Sequence, residues 1–148
     1  MTEQTLIDGL ISTYQTLNSA ILGRNEEGLL NGEQPGASAK DVIRNLRDTE
    51  MLFSKELKER TTGVAIPTVA NVGDSPTLGM ETPNDTIAML LAQFGTARET
   101  TLAMLRSLNN AEWDVEQNGV PSIRRRIAEL LANDHRNLGE LESVMARL

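Results

Sequence analysis

Asn133 and Asn137 stand four residues apart near the end of the chain, the spacing at which side chains on successive helical turns can converge on one point. Stepping at about 100° per residue places Asn137 inside an apolar arc that runs from Val144 round to Leu131, with Asn133 at its edge. Much earlier in the chain, Asn45 falls close in angle to Thr49 and Leu52, beside Val42 and Leu46, so a third amide is expected to face inward. A primary amide both donates and accepts; three of them can satisfy one another or grip a water or a polar ligand. Charged residues interrupt the same apolar stripes: Glu50, Arg98 and Asp134 project where leucine would be expected. Buried unpaired, each would be strongly destabilising, so they are expected to be paired, hydrogen-bonded or lining a wet cavity, with Arg98 and Asp134 as the expected pair. Two readings follow, a buried ion-pair and amide network that fixes helix register, or a functional pocket.

Other reactive side chains are few. The single histidine, His135, lies about 160° round the helix from both neighbouring asparagines, so it reads as a solvated residue without a catalytic role. With no cysteine there is neither a thiolate nucleophile nor a thiolate zinc site. No Ser-His-Asp set, glycine-rich phosphate loop or Walker sequence is present. Arg124, Arg125 and Arg126 oppose the helix dipole at a helix start, and are expected to pair with acidic residues of the preceding turn such as Glu112, Asp114 or Glu116; an anion site on the helix-terminal N–H groups is the functional alternative. Trp113 reads as a plug over one end of the fold, and the six methionines as core filler.

Four segments must position these groups. Leu6, Leu10, Tyr14, Leu17 and Ile21 recur at three- and four-residue spacing and predict a first helix over about Thr2–Leu22. Ser38 with Asp41 three residues on reads as an N-cap with an acidic partner, opening a second helix to about Arg60. The third helix spans about Asn84–Leu108, introduced by Thr82-Pro83-Asn84-Asp85, and the fourth runs from a Ser122 cap to the C-terminus. No segment alternates with period two, so helix packed on helix is the layer solution left, an all-α four-helix bundle forming a single domain over residues 1–148. About fifteen residues join helices 1 and 2 and about a dozen join 3 and 4, whereas Thr61 to Thr82 spans more than twenty, a crossover along the bundle or a lid.

The stretch PGASAKDVIRNLRDTE resembles the start of helix 2 in DinB/YfiT-like proteins, where a Ser-Ala-Lys-Asp pattern leads to a histidine and then an acidic residue. The stretch SLNNAEWDVEQNGVPSIRRRIAELLANDHRNLGEL is similar to that family's Trp-containing turn, Ser/Thr cap and His-Asp-x-x-His motif. The resemblance implies a bundle of up-down-down-up course with the long connection between helices 2 and 3. It further implies that Asn45, Asn133 and Asn137 occupy the three positions where relatives carry metal-binding histidines, often for zinc or nickel in thiol-dependent transferases and isomerases. Asparagine ligates weakly through its carbonyl oxygen, which suits hard cations better than zinc or nickel. The expectation is a DinB-like bundle without a His-bound metal or other cofactor, non-catalytic or metal-independent, a homodimer as relatives often are, and holding a small polar ligand. The enzyme alternative is a divalent-metal-dependent transferase or hydrolase with Glu50, Asp134 and amide oxygens as ligands; a third is a structural or protein-partner bundle with no pocket.

Composition narrows the partners. A net charge of -7 over 148 residues disfavours phosphate backbones, and one run of three arginines makes no groove-tracking surface, so no nucleic acid is expected. The opening MTEQTLIDGL lacks a signal-peptide pattern, and no apolar stretch approaches the roughly 20 residues of a membrane span. Together with the lack of cysteine, this makes the expected location cytoplasmic, away from any membrane.

Overall fold

Every long helix begins on a hydroxyl that accepts a hydrogen bond from an otherwise orphaned N–H. In the computed structural model, which describes residues 2–22, 38–63, 86–116 and 119–146, α1 is Glu3–Ile21 capped by Thr2, and α2 is Ala39–Thr62 capped by Ser38. Helix α3, Ile87–Ser107, is capped by Thr86, and α4, Ile123–Met145, by Ser122. The cap of α2 is a reciprocal box: Asp41 N–H donates to Ser38 Oγ at 3.1 Å and Ser38 N–H donates to Asp41 Oδ2 at 3.2 Å. At its other end α2 runs two residues past the expected Arg60 and stops at Gly63, whose φ of 70° is the left-handed conformation that glycine adopts without a Cβ clash. Helix α3 starts at Ile87 rather than Asn84. The Thr82–Asp85 start signal and the long connection lie outside the described residues.

Helix α2 packs against α3 and α4, and α1 packs against the same two. The described residues form four long helices and no β-strand, an all-α assembly. Its apolar core has two layers. One joins Leu6 and Leu10 of α1, Leu57 of α2, Leu105 of α3 and Ile127 of α4, closed by Trp113. The other joins Leu17, Ile43, Leu46, Phe94, Leu141 and Val144. Along each of α2, α3 and α4 a charged residue falls between the two layers: Glu50, Arg98 and Asp134.

Between α3 and α4 a 3-10 turn, Asn110–Asp114, carries Trp113, which is 1% exposed and plugs the first layer as the sequence suggested. Arginines pin this end down. Arg60 of α2 donates to the Pro121 carbonyl at 2.6 Å, and Arg124 of α4 bonds Asp114 and Glu3, both at 2.7 Å, with its guanidinium 5.9 Å from the Trp113 ring centroid. Gly95 serves close approach: a Cβ there would stand 2.8 Å from Tyr14 Oη, so glycine lets the Tyr14 ring of α1 lie on α3.

Candidate functional site

The Arg98 guanidinium is the point where all four helices meet. It donates to both oxygens of Asp134 on α4 at 3.0 and 3.1 Å, to Glu50 Oε1 on α2 at 2.7 Å, and to the Leu10 carbonyl on α1 at 2.9 Å. Its face lies 5.0 Å from the Phe94 ring centroid. Glu50 is 0% exposed, and Arg98 and Asp134 are each 1% exposed. Burial opposes the guanidinium charge, but the Glu50 and Asp134 carboxylates outweigh it and hold the Arg98 pKa above its ordinary value. Both carboxylates therefore serve a fixed cation, Asp134 through both of its oxygens and Glu50 through one. Glu50 Oε2 and Arg98 Nε have no hydrogen-bond partner among the described residues.

The three asparagines do not converge. Asn45 is exposed, not inward-facing; its Oδ1 accepts from Thr49 Oγ1 of the same helix at 3.4 Å. The buried arc of α2 runs from Val42 through Leu46 and Glu50 to Ile43 and Arg47, and Asn45 stands about 60° outside Val42 on the other flank. Asn137 is buried as expected, but its amide nitrogen donates back to the Asn133 carbonyl at 2.9 Å. The Asn133 side chain, half-buried, accepts from Arg136 at 3.0 Å through Oδ1, which leaves its Nδ2 buried and without an acceptor among the described residues. These amide bonds all stay within one helix; none of them ties α2 to α4.

Beside Asn133 lies a groove of about 320 Å³ between α2 and α4, walled by Thr49, Phe53 and Leu130. Arg126 crosses it: Nε and Nη2 each reach a Glu56 oxygen at 2.9 Å, and Nη1 reaches Glu129. The hydrogen bonds that Arg126 donates to Glu56, and then to Glu129, raise its pKa above its ordinary value despite partial burial. Of the arginine run, Arg124 does pair with Asp114 of the preceding turn, whereas Arg126 pairs across to α2 and Arg125 stands 3.7 Å from Glu129 on its own helix. His135 is exposed.

Sequence reasoning missed the Leu10 carbonyl, since a backbone oxygen has no residue signature, and Glu56, which looks like any other solvated charge on α2. For Arg126 and Glu129 the three-residue spacing was the available signal.

Among the described residues no three His, Cys, Asp or Glu side chains are grouped so as to hold a metal ion, and no described helix is long and apolar enough to cross a membrane. Compared with known proteins, the chain matches no protein-family model, no curated protein and no solved structure.

Proposed function

We propose that this chain is a DinB-like bundle of up-down-down-up course that works without a resident metal, as a non-catalytic, cytoplasmic homodimer binding a small polar ligand in the groove between α2 and α4. The course is supported by the two core layers: the first turns of α1 and α4 share one layer with the last turns of α2 and α3. The donor set carries the metal-free part. A divalent cation needs several oxygen donors aimed at one point. Asn45 looks to solvent, Asn133 Oδ1 is taken by Arg136, and the Glu50 and Asp134 carboxylates already grip the Arg98 guanidinium, which stands where a cation between them would go. The residues do not fit the metal the resemblance implies.

The groove supplies a Thr49 hydroxyl and apolar walls from Phe53 and Leu130, with Asn133 at its edge, which supports a small polar ligand there. Elemental analysis of untagged protein, with thermal-shift titrations against zinc, nickel, manganese, magnesium and calcium, tests the reading. No stoichiometric metal and no shift is the expected result; a bound metal with a clear shift overturns it. A parallel thermal-shift screen of small polar compounds should return one whose stabilisation is lost in Thr49→Trp, which fills the groove.

A further inference from the structure

The back of α2 is covered where a bundle helix ordinarily faces water. Leu46, Glu50, Phe53 and Leu57 make the stripe it turns to the core. Arg44, Asp48, Met51 and Lys55 each stand two residues before one of these, about 160° round the helix, and so point away from the core. Yet Arg44 is 8% exposed, and Asp48, Met51 and Lys55 are half-buried. Helix α3 makes the contrast. Its core stripe is Phe94, Arg98, Thr101 and Leu105, and the four residues at the equivalent back positions, Ala92, Thr96, Glu99 and Ala103, are all exposed. Among the described elements α2 packs against α3 and α4. The first reaches Arg47 through Gln93, and the second walls the groove at Thr49 on the other flank.

We infer that the back of α2 is the docking surface of the chain's own residues 64–85, which join α2 to α3. The ends of that segment support it. Leu57 and Leu105 share one core layer and Ile43 and Phe94 the other, so α3 starts at the end of the bundle where α2 starts. The 22 residues after Gly63 therefore have to make up the length of α2, roughly 36 Å for its 24 residues, and fully extended they reach roughly 73 Å. They are long enough to follow the stripe and turn at both ends. Residues 23–37 are not, because they join α1 to α2 at the second-layer end. Going out to Lys55 and back takes roughly 50 Å, the full extension of those fifteen residues before the gap from α1 to α2 is crossed.

Charge agrees with length. On this side of α2, Lys40, Arg44, Arg47, Lys55 and Lys58 outnumber Asp41, Asp48 and Glu59, a positive strip on a chain of net charge -7. Arg44 pairs with Asp41 and Arg47 with Asp48, and Arg44, Arg47 and Lys55 interact beyond those pairs. Residues 64–85 carry Asp74, Glu81 and Asp85 and no lysine or arginine, so the two surfaces are of opposite sign. Val64, Ile66, Val69 and Val72 offer apolar groups to Met51 and to the methylene stems of Arg44 and Lys55.

Because the chain has no cysteine, a single Met51→Cys reads the cover directly. In the full chain its thiol should react with a soluble maleimide at least roughly tenfold more slowly than that of Asn45→Cys, which lies on the exposed flank of the same helix. Replacing residues 64–85 by an equal number of glycines and serines should bring the two rates together with helicity unchanged. In the otherwise unaltered chain, Met51→Cys combined with Val69→Cys or with Val72→Cys should close an intramolecular disulfide, a readout that stands even where the replaced chain does not fold. Equal labelling rates in the unaltered chain overturn the inference. So does shielding that survives the replacement; where that shielding grows with protein concentration, a second copy is the cover. Failure of both cysteine pairs to close overturns it as well.

Discussion

Replacing Arg98 by methionine keeps the length of the side chain and removes its charge, stranding two carboxylates that are 0% and 1% exposed. The guanidinium makes four hydrogen bonds of 2.7–3.1 Å. Water cannot replace them without opening the bundle. Breaking a buried ion pair from one side costs about 3–5 kcal/mol, and here two carboxylates lose the same partner, so the loss should reach at least the upper part of that range. Against a total stability of about 5–15 kcal/mol for a domain, R98M should be marginal or unfolded, with its melting temperature lowered by roughly 10 °C or more. Urea unfolding followed by circular dichroism measures it. The triple variant Glu50→Gln/Arg98→Met/Asp134→Asn should recover a large share, since neutral amides cost far less to bury than charges. A loss below about 1 kcal/mol in R98M, or a triple variant no more stable than R98M, would refute the account of Arg98 as the cation that makes two buried carboxylates tolerable.

Three further outcomes are expected. Trp113→Ala should cost about 3–5 kcal/mol in the same urea assay, because the ring closes one core layer and leaves a cavity when removed. Gly95→Ala should destabilise by about 1–3 kcal/mol by pushing the Tyr14 ring off α3, and Tyr14→Phe, which removes the hydroxyl 2.8 Å from the new Cβ, should return part of it. Glu3, through its own backbone hydrogen bond and then Arg124, and Asp114, through the Arg124 hydrogen bond, have pKa values held below their ordinary 4.5 and 3.8. The unfolded carboxylates then bind protons first as the pH falls. Their contribution is complete above those ordinary values and is lost below them, so Arg124→Gln should flatten the decline of stability in acid.

The parts of the fold set by near neighbours in sequence were the legible ones. The Ser38–Asp41 box needs four residues, and the apolar periods need only the geometry of one helix. Arg98 and Asp134 could be matched as partners because each is a charge in an otherwise apolar stripe, and few such charges exist to be paired. Asn45 was misplaced because helical angles give the arc's width but not which flank the neighbours cover: packing against α3 extends burial toward Arg47 and leaves Asn45 in solvent.

Because Arg98 takes its partners from α1, α2 and α4, across sequence separations of 88, 48 and 36 residues, no subset of helices can satisfy it. Detaching any one helix exposes a break in the polar layer as well as an apolar face. The slowest-exchanging amides of all four helices should therefore share a single opening free energy, equal to that of global unfolding, and no three-helix fragment should persist as a folded species. Arg98 thus acts as a keystone of cooperativity, converting four amphipathic helices that could peel away one at a time into a molecule that opens only as a whole.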